Sequence, residues 1–228
     1  MPQTALNLLA IGIFSITMLS LIAPIAQIPL GVPAGITLGI LGLATADTLA
    51  WQSRGVTLLL DLFATKEERE RVLRHEAGHF LTAFCLGIPV TGYTLTAWEA
   101  FRSGQAGRGG VQFEATRLVD LVPGQPEFQL AVERYSTVWM AGMAAEKMVY
   151  GNTLGGGDDH EQLYLAYRLC QIPESKFEQK EKWSQLQAQS ILERHRQAYD
   201  ALVDALRSRT SVDDCYQLLQ ARLQEELS

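Results

Sequence analysis

Cysteine is scarce: the 228 residues hold three, Cys85, Cys170 and Cys215, far apart and never as a Cys-x-x-Cys pair. That excludes a disulfide framework and reads as three reduced thiols packed as small apolar groups in a reducing compartment. Charge is nearly absent from one end, since Asp47 is the only charged side chain in residues 1–53, leaving 43 of the 44 for residues 54–228. The remainder has the charge density of an ordinary globular domain. It nets −5 (19 basic against 24 acidic) and contains no basic run interleaved with aromatics, so no nucleic-acid partner is expected. There is no GxxxxGK[ST] loop, hence no phosphate cradle for ATP hydrolysis, and no Asp-Gly dipeptide. An apolar content of 47% excludes intrinsic disorder, and the length leaves room for one catalytic domain.

Ala5 to Ala23 is apolar except for Asn7, Ser15, Thr17 and Ser20, close to the roughly 20 residues that a bilayer-crossing helix needs. Pro24, Pro29, Gly31 and Pro33 then break the run, and Ala34 to Trp51 is a second apolar stretch weakened by its glycines and Asp47. The expectation is a membrane anchor of one or two helices over 1–53, a linker over 54–64 and a domain over 65–228. A cleaved signal peptide ending near Ala44-Thr45-Ala46 is the weaker alternative, because no Lys or Arg precedes an apolar core that is too long for one. Arg54, Lys66, Arg69, Arg71 and Arg74 all follow the second stretch. The positive-inside rule therefore places the domain of an integral membrane protein on the cytoplasmic face.

A helix start is signalled at Thr65-Lys66-Glu67-Glu68, where hydroxyl and carboxylate can exchange bonds with the backbone, and Gly87 and Pro89 supply the stop. Val72, Leu73, Phe80, Leu81 and Phe84 recur at helical spacing and give this element a buried face. Between them stands His75-Glu76-Ala77-Gly78-His79, an HExxH motif. Four residues advance a helix by about 400°, so both imidazoles leave one face a turn apart and can close on one ion. Glu76 emerges about 100° round, where a general base for a water is needed. The candidate metal is zinc, held by His75, His79 and a third protein ligand.

The third ligand decides the kind of enzyme. A metzincin would carry Gly and His where this chain has Thr82 and Cys85, and an intramembrane protease would need the motif in an apolar span with a later Asp-Gly. Both are excluded. Glu146, in the helical segment MAGMAAEKMVYG, and the pair Asp158-Asp159, after Gly155-Gly156-Gly157, remain. Helix capping explains Asp158 and Asp159 as readily as ligation does.

The stretches RVLRHEAGHFLTAF, GGVQF and MAGMAAEKMVYGNTLGGGDDHEQL resemble the peptidase domain of the FtsH family, the membrane-anchored, ATP-dependent zinc proteases. The resemblance covers roughly residues 65–222. It implies His75, His79 and Asp159 as zinc ligands, Glu76 as the catalytic base, and Glu146 as a nearby carboxylate that orients an imidazole. The chain departs from the family in lacking the ATPase module. Its GGGDDH loop also leaves Asp158 and His160 as additional polar groups near the metal.

The resulting expectation is an α+β, mostly helical, zincin-like metallopeptidase domain with a small sheet, preceded by N-terminal membrane helices. It would hydrolyse protein or peptide substrates without its own ATPase. The alternatives are a catalytically silent adaptor that associates with a complete ATP-dependent protease, and a metal-binding structural domain. Residues 101–110 read as a surface loop or flap, with Val90 to Thr96 and Gly110 to Phe113 as strand edges. Lys182 to Leu206 reads as an amphipathic segment suited to core packing or to contact with a second copy in a homo-oligomer.

Overall fold

The computed structural model describes residues 3–29, 31–51, 54–104, 109–114 and 125–226. In chain order these form α1 (Gln3–Ile22), α2 (Gly31–Trp51), α3 (Arg54–Leu62), α4 (Lys66–Cys85), β1 (Val90–Tyr93), α5 (Ala97–Arg102) and β2 (Val111–Phe113). There follow α6 (Pro126–Tyr150), α7 (Gly157–Leu169), a 3-10 turn (Glu174–Lys176), α8 (Phe177–Arg194), α9 (Arg196–Arg207) and α10 (Val212–Glu225). The expectation of a mostly helical chain with one small sheet holds. Two compact units divide it: Met1–Lys66 with Thr96–Gly109, and Glu67–Leu95 with Gly110–Ser228.

In the first unit α1 and α2 are separated by the proline-bearing turn, in which Gln27 takes a positive φ of 55°. Among the described residues no helix is long and apolar enough to cross a membrane. This corrects the membrane helices expected over 1–53, and with them the integral-membrane localisation. Polar positions and glycines interrupt both apolar runs: Asn7, Ser15, Thr17 and Ser20 in α1, and Gly35, Gly39, Gly42 and Asp47 in α2. The hydroxyls of Thr17 and Ser20 bond back to the carbonyls four residues earlier, and the Asp47 carboxylate accepts the Gly55 N–H at 2.8 Å. The expected linker over 54–64 is itself helical, as α3. Its Asp61 accepts the N–H of Ala97 at 3.1 Å and so ties α3 to α5, whose first turn is capped by the Thr96 hydroxyl accepting from the Glu99 N–H.

In the second unit α4 runs from Lys66 to Cys85 and buries the continuous stretch from His75 to Ala83. Its depth follows from the small side chains facing it. A Cβ on Gly78 would stand 2.6 Å from the Ala141 carbonyl and 2.8 Å from the Ala145 methyl, so the two helices approach as backbone against backbone where α6 reads MAGMAA. Around that crossing, Phe80 and Leu81 of α4, Val138 and Ala141 of α6, Leu192 of α8, Tyr199, Leu202 and Leu206 of α9, and Leu219 of α10 form the main core. Phe128, Met140 and Met143 of α6 meet Leu163 and Tyr167 of α7 and Phe177 in a second cluster.

β1 and β2 pair antiparallel, Val90 opposite Phe113 and Tyr93 opposite Val111, with an irregularity at Thr91. The sheet is pinned to the C-terminal helix by the Tyr216 hydroxyl, which accepts the Val90 N–H at 2.8 Å. Of the expected loop over 101–110, Phe101 and Arg102 end α5, and residues 105–108 lie outside the described residues. The amphipathic segment from Lys182 to Leu206 is not one helix. It divides at His195, whose φ of −109° and ψ of 40° leave the helical region between α8 and α9.

Candidate metal centre

The HExxH stretch of α4 faces the first turn of α7. The Nε2 atom of His75 lies 3.1 Å from Oδ2 of Asp159, and Nε2 of His79 lies 3.4 Å from Oδ1 of the same carboxylate. One ligand atom from each of His75, His79 and Asp159 lies within 4.8 Å of the others, and the two histidines are buried. This buried cluster could hold a metal ion.

The far side of each ring supports that chemistry. His79 Nδ1 donates to the backbone carbonyl of Val138 at 2.7 Å, and His75 Nδ1 donates to Oε1 of Glu146 at 2.8 Å. An acceptor at Nδ1 fixes the proton there and leaves the Nε2 lone pair for a cation. The two rings stand edge to face, with centroids 4.7 Å apart. Asp159 is supplied by α7, whose N-cap is Gly156 at a φ of +96°, so neither Asp158 nor Asp159 is the capping residue.

Glu146 is 1% exposed, yet all its oxygens are engaged. Besides His75 it accepts from Arg71 Nη1 at 2.9 Å, from the Leu154 N–H at 2.8 Å and from the Gly155 N–H at 3.2 Å. Burial works against its charge, but the bonds from His75, Leu154 and Arg71 hold its carboxyl down at about 2. Asp159 is likewise penalised by burial and held well below the usual carboxylate range by the two imidazoles.

Glu76 is buried in the same region and interacts electrostatically with His75, His79 and Asp159. Its Oε2 accepts the N–H of Val111 at 2.9 Å. Burial raises its proton affinity, and the neighbouring imidazoles and that N–H only partly offset the rise. A carboxylate poised in this way is a better proton acceptor than one in water.

The structure thus brings His75, Glu76, His79 and Asp159 together, and it places Glu146 behind His75, away from the converging atoms. Asp158 is exposed, and His160 turns towards α8, with Nδ1 3.6 Å from Glu181. Sequence reasoning did not reach Arg71, the Val138 carbonyl or the Val111 N–H. Arg71 carried a signal, one helical turn before His75 on the same face, whereas the two backbone groups carry none.

Compared with known proteins, the chain matches no family model, no curated protein and no solved structure.

Proposed function

We propose that the chain is a zinc metalloendopeptidase acting on protein or peptide substrates, similar in its catalytic unit to the FtsH peptidases. The observation that carries this reading is the convergence of His75 Nε2, His79 Nε2 and the Asp159 carboxylate, each imidazole oriented from behind, with an acidic side chain of raised proton affinity beside them. Two neutral imidazoles and one carboxylate form a donor set suited to zinc. When bound, zinc would polarise a peptide carbonyl and make water acidic enough to attack near neutral pH.

The chain's own residues have separate tasks in this scheme. His75 and His79 bind through Nε2, and Asp159 binds through its carboxylate. Glu76 accepts the water's proton at a carboxylate oxygen and returns it to the leaving amine. The Val111 N–H fixes one of the two oxygens, so the other is the one turned to the proton. Burial of the motif limits competing water around the transfer.

Metal analysis combined with casein hydrolysis, on wild type and Glu76→Gln, tests the reading. Wild type should carry about one zinc and cleave casein. The variant should keep its zinc and lose hydrolysis, because an amide cannot take the proton while all three ligands remain. Zinc-loaded wild type without hydrolysis would favour a silent adaptor, and joint loss of zinc and activity in the variant would make Glu76 a ligand.

A further inference from the structure

We infer that Arg71 is a positioning residue for the metal centre, acting on the metal through Glu146 and His75. The inference rests on the metal-binding reading above and adds to it how the three ligands are held in register. Arg71 Nη1 bonds Oε2 of Glu146 at 2.9 Å, and the two side chains are only 11% and 2% exposed. The same nitrogen reaches the side-chain oxygen of Asn152 at 3.1 Å and its carbonyl at 3.3 Å, and the guanidinium lies over the Tyr150 ring, 4.1 Å from its centre. A rim ion pair has none of this fixation. Arg71 is therefore locked at the C-terminal end of α6 while its own helix carries His75.

Glu146 is the junction. A carboxylate buried this deeply needs a charged partner as well as neutral donors, and the Arg71 guanidinium hydrogen-bonded to it keeps its charge whether or not His75 gives up its proton to a metal. Through Oε1 it holds the His75 ring, and through both oxygens it holds the N–H groups of Leu154 and Gly155. Those two residues open the glycine-rich loop that enters α7 and delivers Asp159. One ion pair thus fixes the orientation of a ligand on α4 and the path of the loop that brings the ligand on α7. Without Arg71, Glu146 loses the contact that holds it between them, and His75 and Asp159 are no longer preset to one separation.

The test is zinc titration against a chromogenic chelator and the electronic spectrum of the cobalt-substituted protein, for wild type, Arg71→Met, Arg71→Lys, Glu146→Gln and the Arg71→Met/Glu146→Gln double variant. Arg71→Met should weaken zinc by about 10–100-fold, as loss of a ligand-orienting contact does, and should alter the cobalt spectrum. Arg71→Lys should recover only part, because an ammonium lacks the planar guanidinium face that lies over the Tyr150 ring. The double variant should bind no worse than Glu146→Gln alone, since Arg71 acts through that residue. Wild-type affinity in Arg71→Met, or losses that add in the double variant, would overturn the inference. Should Arg71→Met not fold, Arg71→Lys decides alone, wild-type affinity again being the refuting result. A wild type that binds no zinc defeats the metallopeptidase reading and this inference with it, whereas tight binding by wild type and Arg71→Met alike defeats the inference only.

Discussion

Oε2 of Glu76 accepts the backbone N–H of Val111 at 2.9 Å, which fastens the acidic residue of the HExxH motif to strand β2. The residue before that donor is Gly110, at a φ of +149°, and a Cβ there would stand 3.1 Å from the same oxygen. Alanine at this position is strained by the backbone and presses on the carboxylate, yet it touches none of the three ligands. Gly110→Ala should therefore keep its zinc while kcat/KM on a peptide falls by up to about a hundredfold, the scale of a base displaced by roughly 1 Å. Metal analysis and peptide kinetics on the same sample check this. Unchanged kinetics would show that the strand does not set the base.

The three carboxylates that could supply the third ligand separate by what they touch. Asp159 faces both Nε2 atoms, so Asp159→Ala leaves two imidazoles and should strip zinc. Glu146 faces Nδ1 of His75, so Glu146→Ala should weaken zinc by about 10–100-fold without abolishing it. Asp158 is exposed in the first turn of α7, and Asp158→Ala should cost only the roughly 0.3–1 kcal/mol of a helix-dipole contact. Zinc titration of the three variants gives the order, and wild-type affinity in Asp159→Ala would exclude it as a ligand.

The helix bearing the motif, its stop before Gly87, and the pairing of His75 with His79 were legible because each depends on local spacing or on a short motif, whereas spacing left Glu146, Asp158 and Asp159 open and only the family resemblance pointed to Asp159. The break at His195 was not legible, since the amphipathic pattern runs through it on both sides. The acceptors behind the two rings differ in the same way. Glu146 is a side chain and could be proposed, whereas the Val138 carbonyl that holds His79 exists at every residue and becomes specific only when α6 packs on α4. The first 53 residues illustrate the opposite error, in which a long apolar run was read as a span although polar positions and glycines interrupt it.

The packing behind the site supports a stability test in which magnitude separates two effects. Tyr199 is fully buried on α9 and donates its hydroxyl to the Arg74 carbonyl at 2.9 Å, one residue before His75. Tyr199→Phe removes that bond and little volume, so it should cost about 1 kcal/mol. Leu202→Ala, one turn on and equally buried, opens a cavity and should cost about 2–5 kcal/mol. Urea unfolding of chelator-treated protein measures both, and equal losses would mean that the hydroxyl bond anchors α9 as strongly as this core side chain does.

The pH dependence follows from the same cluster. Burial pulls the His75 imidazole down, but hydrogen bonds to Asp159 and Glu146 overcome it and push the group up to about 10. A histidine raised above its ordinary 6.5 stabilises the metal-free fold fully below about 6.5, and that contribution is lost as pH rises through about 10. Glu146, held down at about 2, contributes above its unfolded value, and its contribution is lost as pH falls through about 2. Chelator-treated protein should accordingly be most stable between the ordinary carboxylate range and about 6.5, and weaken on either side. Zinc needs Nε2 unprotonated, so its binding must expel the proton that His75 carries at neutral pH. The stability gap between zinc-loaded and chelated protein should therefore widen as pH rises from 6.5 towards 10. Calorimetry at pH 7 in buffers of different ionisation enthalpy should register net release of protons on zinc binding, because the imidazoles of both His75 and His79 are raised above their ordinary value. A zinc-binding enthalpy independent of buffer, together with a stability gap that does not change with pH, would mean that the proton and the metal do not compete for this nitrogen.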